Sequence, residues 1–125
     1  MILSLLREEL VVARLPAEQP VPPWVSAGLF FSITRTHEEL SVVCGPEQLP
    51  PGIQPVEPGW RCFKVQGPLD FNLTGILTSL LDPLARAEIP VFVLSTFDTD
   101  YIMVRQELIP AAVEALQREG HVIEG

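Results

Sequence analysis

The chain is 125 residues long and 47% apolar, enough for one compact domain or for two small modules sharing a core. Eight basic against sixteen acidic residues give a net charge of −8 with no Lys/Arg cluster, which excludes nucleic acid and anionic membrane surfaces as partners. The opening MILSLLREEL lacks the basic start and apolar length of a signal peptide, and no window approaches the ~18 apolar residues of a membrane span, so a cytoplasmic protein is expected.

In chain order, ILSLL (2–6) and LVVARL (10–15) read as a first hairpin turning at Arg7-Glu8. Nine of the thirteen prolines then fall between Pro16 and Pro58, in PAEQPVPP and PEQLPPGIQPVEP. Proline lacks the backbone donor that helices and central strands need, so both runs are predicted connections with at most a turn of helix. Between them, LFFSITRT (29–36) and ELSVVCG (39–45) are predicted strands. WRCFKVQ (60–66) alternates like a strand, and GPLD is a turn.

Leu73, Ile76, Leu77, Leu80, Leu81 and Leu84 then recur on one face of a helix predicted from about Asn72 to Ala87. Asn72 is its candidate N-cap, and Pro83 is expected to kink it or remove one hydrogen bond. VFVLSTF and YIMVR form strands around an Asp-Thr-Asp turn. A second helix carries Leu108, Ile109, Ala112, Val113 and Leu116, with Pro110 tolerated in its first turn and Gly120 stopping it before a final strand, HVI. From Trp60 onward the order is βαββαβ, a ferredoxin-like α+β pattern.

The first half echoes the second. FSITRTHEELSVV (31–43) aligns without gaps on FVLSTFDTDYIMV (92–104), at an offset of 61 residues. Residues 1–59 are therefore expected to be a degenerate, helix-poor copy of the module at 60–125, packed with it into one unit. Strand 60–66 could serve both copies.

Chemistry is sparse. Cys44 and Cys62 lack metal or redox spacing, and His37 and His121 have no ligand-type neighbours, so no metal and no cofactor is expected. Serines occur without a nucleophile elbow, and no Gly-rich loop with lysine is present, so no enzymatic activity is expected. Asp98 and Asp100 flank Thr99 at a spacing that by itself describes a solvated turn. The loop QGPLDFNLTGIL (66–77) leads into a helix start, whose unpaired N–H groups can take a carboxylate. Gly75, expected near the third helical position, either admits a ligand close to the backbone or allows close helix–sheet packing. A ligand held there would need its cationic end met by Asp98 or Asp100. The loop and the turn are expected to meet most easily across two copies or two chains.

QGPLDFNLTGIL (66–77), IPVFVLSTFDTDYIMV (89–104), the following helix with EGHVI, and LFFSITRTHEELSVVC (29–44) together resemble the ACT domain family, in its CASTOR-like branch. The resemblance covers the chain from about Leu10. It implies ferredoxin-like modules that bind an amino acid between modules and regulate a partner without catalysis. Carried over by motif, the ligand-binding residues are Asn72, Leu73, Thr74, Gly75 and Ile76 at the helix start, and Ser95, Thr96, Phe97, Asp98 and Asp100 at the strand and turn. The implied ligand is an amino acid, arginine or another, and the implied assembly is a homodimer. The alternative is an interaction protein that keeps the fold, binds no ligand and pairs with another chain.

Overall fold

The computed structural model describes every residue except Phe71 and Leu73. Its elements are β1 (Ile2–Leu5), β2 (Leu10–Leu15), β3 (Ser32–Arg35), β4 (Leu40–Cys44), β5 (Val56–Val65), α1 (Ile76–Arg86), β6 (Phe92–Ser95), β7 (Asp100–Arg105), α2 (Ile109–Arg118) and β8 (Val122–Glu124). Two units are built from them: Met1–Arg7 with Trp60–Gly125, and Glu8–Gly59. Strand β5 begins at Val56, earlier than the expected strand; its first four residues belong to the Glu8–Gly59 unit and the rest, from Trp60, to the other.

The unit containing the C-terminal half follows the expected βαββαβ order. Strand β5 pairs antiparallel with β7, and β7 with β6. The other side of β5 is taken by β1, antiparallel, which in turn pairs parallel with β8. The predicted β1–β2 hairpin is thus not formed, and the first seven residues leave the 1–59 half for the other unit. Two causes are visible. Tight hairpin turns need residues at ease with positive φ, which Arg7-Glu8 does not supply. Leu3, fully buried, gains a place in the core beside Phe63, Val65, Leu80, Leu84, Ile102 and Leu116. Each such side chain contributes about 1.5–3 kcal/mol on burial.

Helix α1 turns Leu80 and Leu84 fully into that core and leaves Thr78, Ser79, Asp82 and Arg86 exposed, as the leucine spacing predicted. It starts later than expected. Gly75 holds φ +80°, outside the helical region, and is the residue that caps the helix. Asn72 is not the cap; its N–H donates to Asp70 Oδ1 at 2.8 Å, an Asx turn before the helix. The expectation for Leu73 lies outside the described residues. Pro83 sits inside α1, which nevertheless continues to Arg86. Helix α2 carries Pro110 at its start, as expected, and Gly120 follows its end at φ +87°.

The Glu8–Gly59 unit pairs β2 antiparallel with β4, and β4 with β3. Where the other unit has helices, this one has 3-10 turns at Pro23–Ser26 and Pro46–Gln48, the outcome its prolines predicted. Its core gathers Ala13, Leu15, Val25, Leu40 and Val42, with Trp24, Leu49, Ile53 and Val56 packed against it. Arg35 faces Leu40 as Ser95 faces Asp100, so the two hairpins correspond sixty residues apart rather than 61. A slip of one residue would exchange the two faces of each strand, and burial forbids it.

Candidate functional site

Antiparallel pairing assembles the site. Lys64 near the end of β5 faces Tyr101 near the start of β7, so the loop leaving β5 runs beside the hairpin tip before β7. Three contacts fasten them. The buried Thr99 hydroxyl donates to the Val65 carbonyl, and Leu69 N–H donates to the Asp98 carbonyl at 2.7 Å. Gly67 has no room for a side chain, because a Cβ there would lie 3.0 Å from the Asp98 carbonyl oxygen and 3.1 Å from Leu69 N. Loop and turn, expected to meet most easily across two copies or two chains, meet within one chain. Adjacent antiparallel strands set the end of one beside the beginning of the other.

The tip itself is rigidly tied. Thr96 N–H donates to the Thr99 carbonyl at 2.9 Å, and Thr99 N–H donates to Thr96 Oγ1 at 3.3 Å. Asp100 is half-buried, and its Oδ1 accepts from Ser95 Oγ at 2.6 Å across the β6–β7 pair. Asp98 is exposed, and Phe97 is 80% exposed.

Between this tip and the start of α1 lies a cavity of about 280 Å³. It is lined by Leu69 and Asp70 of the loop, by Gly75, Ile76, Leu77 and Thr78 at the helix start, and by Ser95 to Asp100. Small-molecule sites run from roughly 300 to 1,000 Å³, so this one suits a single small metabolite. The first turn of α1 presents backbone N–H groups and the positive end of the helix dipole, which favour an anion. Asp70, Asp98 and Asp100 favour a cation, and no basic side chain is among the described lining residues. The combination suits a molecule carrying both charges.

Seven of the sequence-predicted residues come together here: Gly75, Ile76, Ser95, Thr96, Phe97, Asp98 and Asp100. Asn72 and Thr74 are not among the lining residues. Asp70, Leu69, Leu77, Thr78 and Thr99 were missed. GPLD was legible as a turn, but that its aspartate borders the cavity follows only from the pairing of β5 with β7. Gly75 has nothing within 4 Å of an ideal Cβ, so backbone conformation requires its glycine, not close packing.

A family model for the ACT domain matches residues 56–118, and a model for an N-terminal domain matches residues 8–51. The bovine (Bos taurus) cytosolic arginine sensor for mTORC1 subunit 1 is 33% identical over 100 residues, covering 72% of this chain and 30% of its own length. The human counterpart is 31% identical over the same shares. The chain thus spans about 30% of the length of these curated relatives. A crystal structure of an Agobacterium tumefaciens protein superposes with a TM-score of 0.91 at 42% identity, covering 98% of this chain and 90% of that one. The ligand-free regulatory subunit of aspartate kinase from Thermus thermophilus shares the fold at TM-score 0.63 and 11% identity, covering 90% and 93% of the two chains. With the ACT model spanning half the chain, the βαββαβ order realised in the structure, and relatives agreeing in sequence and fold, this chain belongs to the ACT domain family.

Proposed function

We propose that this chain is a non-catalytic regulatory module that binds an amino acid in the cavity between the start of α1 and the Ser95–Asp100 turn. One observation carries the reading: the start of a helix and three carboxylates line one space for a small molecule. The ligand's carboxylate meets the first turn of α1, and its cationic end meets Asp100, with Asp98 and Asp70 beside it. Arginine is the first candidate, because the curated relatives are named arginine sensors. A second ACT unit or a second chain in a homodimer completes the enclosure, and the exposed Phe97 at the rim supports this. The chain acts in the cytoplasm; among the described residues no helix is long and apolar enough to cross a membrane.

The test is a thermal-shift panel of the twenty amino acids at millimolar concentration. A ligand at ~100 times its Kd stabilises by about 2.7 kcal/mol, a rise of several degrees. A flat panel would remove the ligand reading. The second reading, an interaction protein without a ligand, is favoured by the fully exposed Leu29 and the half-exposed Phe31 and Ile33 in the helix-poor unit.

A further inference from the structure

The two units repeat one arrangement, and register fixes which residues correspond. Arg35 faces Leu40 as Ser95 faces Asp100, and Arg14 faces Ser41 as Lys64 faces Tyr101. The turns match as well. Thr36 N–H donates to the Glu39 carbonyl at 2.9 Å, and Thr36 Oγ1 accepts from Glu39 N–H at 3.2 Å. Thr96 makes both bonds with Thr99. The segment Pro16–Gln19 after β2 therefore corresponds to Gln66–Leu69 after β5.

At this point the units differ. Beside Gln66–Leu69 lies the cavity, with Ser95 and Asp100 on its wall. Beside Pro16–Gln19, the Arg35 guanidinium donates through Nη1 to the Ala17 carbonyl and through Nη2 to the Gln19 carbonyl, the latter at 2.7 Å. Leu40, at the position of Asp100, is fully buried with Leu15 and Val25. A hydroxyl–carboxylate pair in one unit is an arginine and a buried leucine in the other.

We infer that Arg35 is a built-in occupant of the first unit's counterpart of the ligand site, so that each chain offers one site and not two. A planar fork of five donors on a long stem suits the task, since it meets two carbonyls of one loop at once. Burying Leu40 removes the carboxylate that a cationic ligand would need. The inference rests on reading the Gly75–Asp100 cavity as the ligand site.

Hydrogen exchange of the full chain, read by mass spectrometry, tests the strap without any ligand. In Arg35→Ala, amides between Ala17 and Val21 should exchange about tenfold faster, while the Ser95–Asp100 hairpin stays unchanged. Arg35→Lys, which keeps the charge and loses the fork, should fall between, and it serves if the alanine variant does not fold. Unchanged exchange at residues 17–21 overturns the inference. Equilibrium dialysis with L-arginine as probe should give one molecule bound per chain, and two equal sites would also overturn it. No binding of L-arginine counts against the proposed ligand, and the exchange result then decides the role of Arg35 by itself.

Discussion

His121 donates through Nε2 to the Ser79 carbonyl at 3.1 Å. That carbonyl is the acceptor which residue 83 would serve in an uninterrupted helix, and Pro83 has no N–H to offer. The imidazole thus stands in for the missing helical donor. With Nε2 protonated, Nδ1 of the neutral ring accepts from the Met1 nitrogen at 3.1 Å. A proline readable only as a defect in α1 is compensated from the segment that leads into β8.

Replacing His121→Ala should destabilise the chain by about 1–3 kcal/mol, because the Ser79 carbonyl loses its partner. In a Pro83→Ala background the same change should cost less, since the backbone can supply the donor again. Urea unfolding of the four proteins in this cycle measures the difference. Equal costs in both backgrounds would show that the imidazole does not replace the helical bond.

Two glycines should respond differently to alanine. Gly67→Ala forces a Cβ to 3.0 Å from the Asp98 carbonyl oxygen, so loop and turn must separate, at about 1–3 kcal/mol and with loss of ligand response. Gly75→Ala meets no atom but must hold φ +80°, at about 1–2 kcal/mol. Gly75→Asn should recover part of that loss, whereas Gly67→Asn should not. Thermal unfolding of the four variants distinguishes steric from conformational need.

Thr99→Val preserves shape and removes the hydroxyl that donates to the buried Val65 carbonyl. The expected loss is about 1–3 kcal/mol, with Thr99→Ser close to the parent. Urea midpoints of the two variants provide the check, and equal values would discount the bond as the link between β5 and the turn.

Asp100→Ala should weaken amino-acid binding by about 2–5 kcal/mol if the charge pair is desolvated. Ser95→Ala, which removes only the hydroxyl that orients Asp100, should weaken it less. Calorimetric titration of both variants with the amino acid that gives the largest thermal shift measures the order. An unchanged Kd for Asp100→Ala would take this carboxylate out of the site.

Burial pushes the Cys44 thiol above its ordinary value of 9.0, and the charge of Glu47 adds to the shift. The folded chain therefore keeps this proton after the unfolded chain has lost it. The thiol's contribution is complete below the ordinary value and declines as pH rises through it toward the folded value. As pH rises past 9.0, stability should fall more steeply in the parent than in Cys44→Ala. Parallel slopes of urea midpoint against pH would contradict the shift.

Much of the architecture was legible because it depends on local periodicity. Leu80 and Leu84 announce the buried stripe of α1, Pro110 sits where a helix start tolerates it, and the prolines of the first half declare that it has at most single helical turns. The Asp98–Asp100 turn was visible as a turn. The start of α1 was misread because the leucine spacing extends past Gly75, and spacing does not reveal that the backbone there turns left-handed. Strand β1 was misplaced for a related reason: ILSLL is an apolar strand in any sheet, and nothing in five residues says which neighbours it will have.

The sequence by itself determined the order of strands and helices, the helix-poor character of the first half and seven of the residues that line the cavity, because side-chain periodicity and proline chemistry act within a few residues. Only the tertiary structure decided that β1 enters between β5 and β8, that Asp70 joins Asp98 and Asp100 at one cavity, and that Arg35 straps the matching loop in the other unit. Those outcomes depend on register between strands distant in the chain, and register is set by which faces the assembled core can bury.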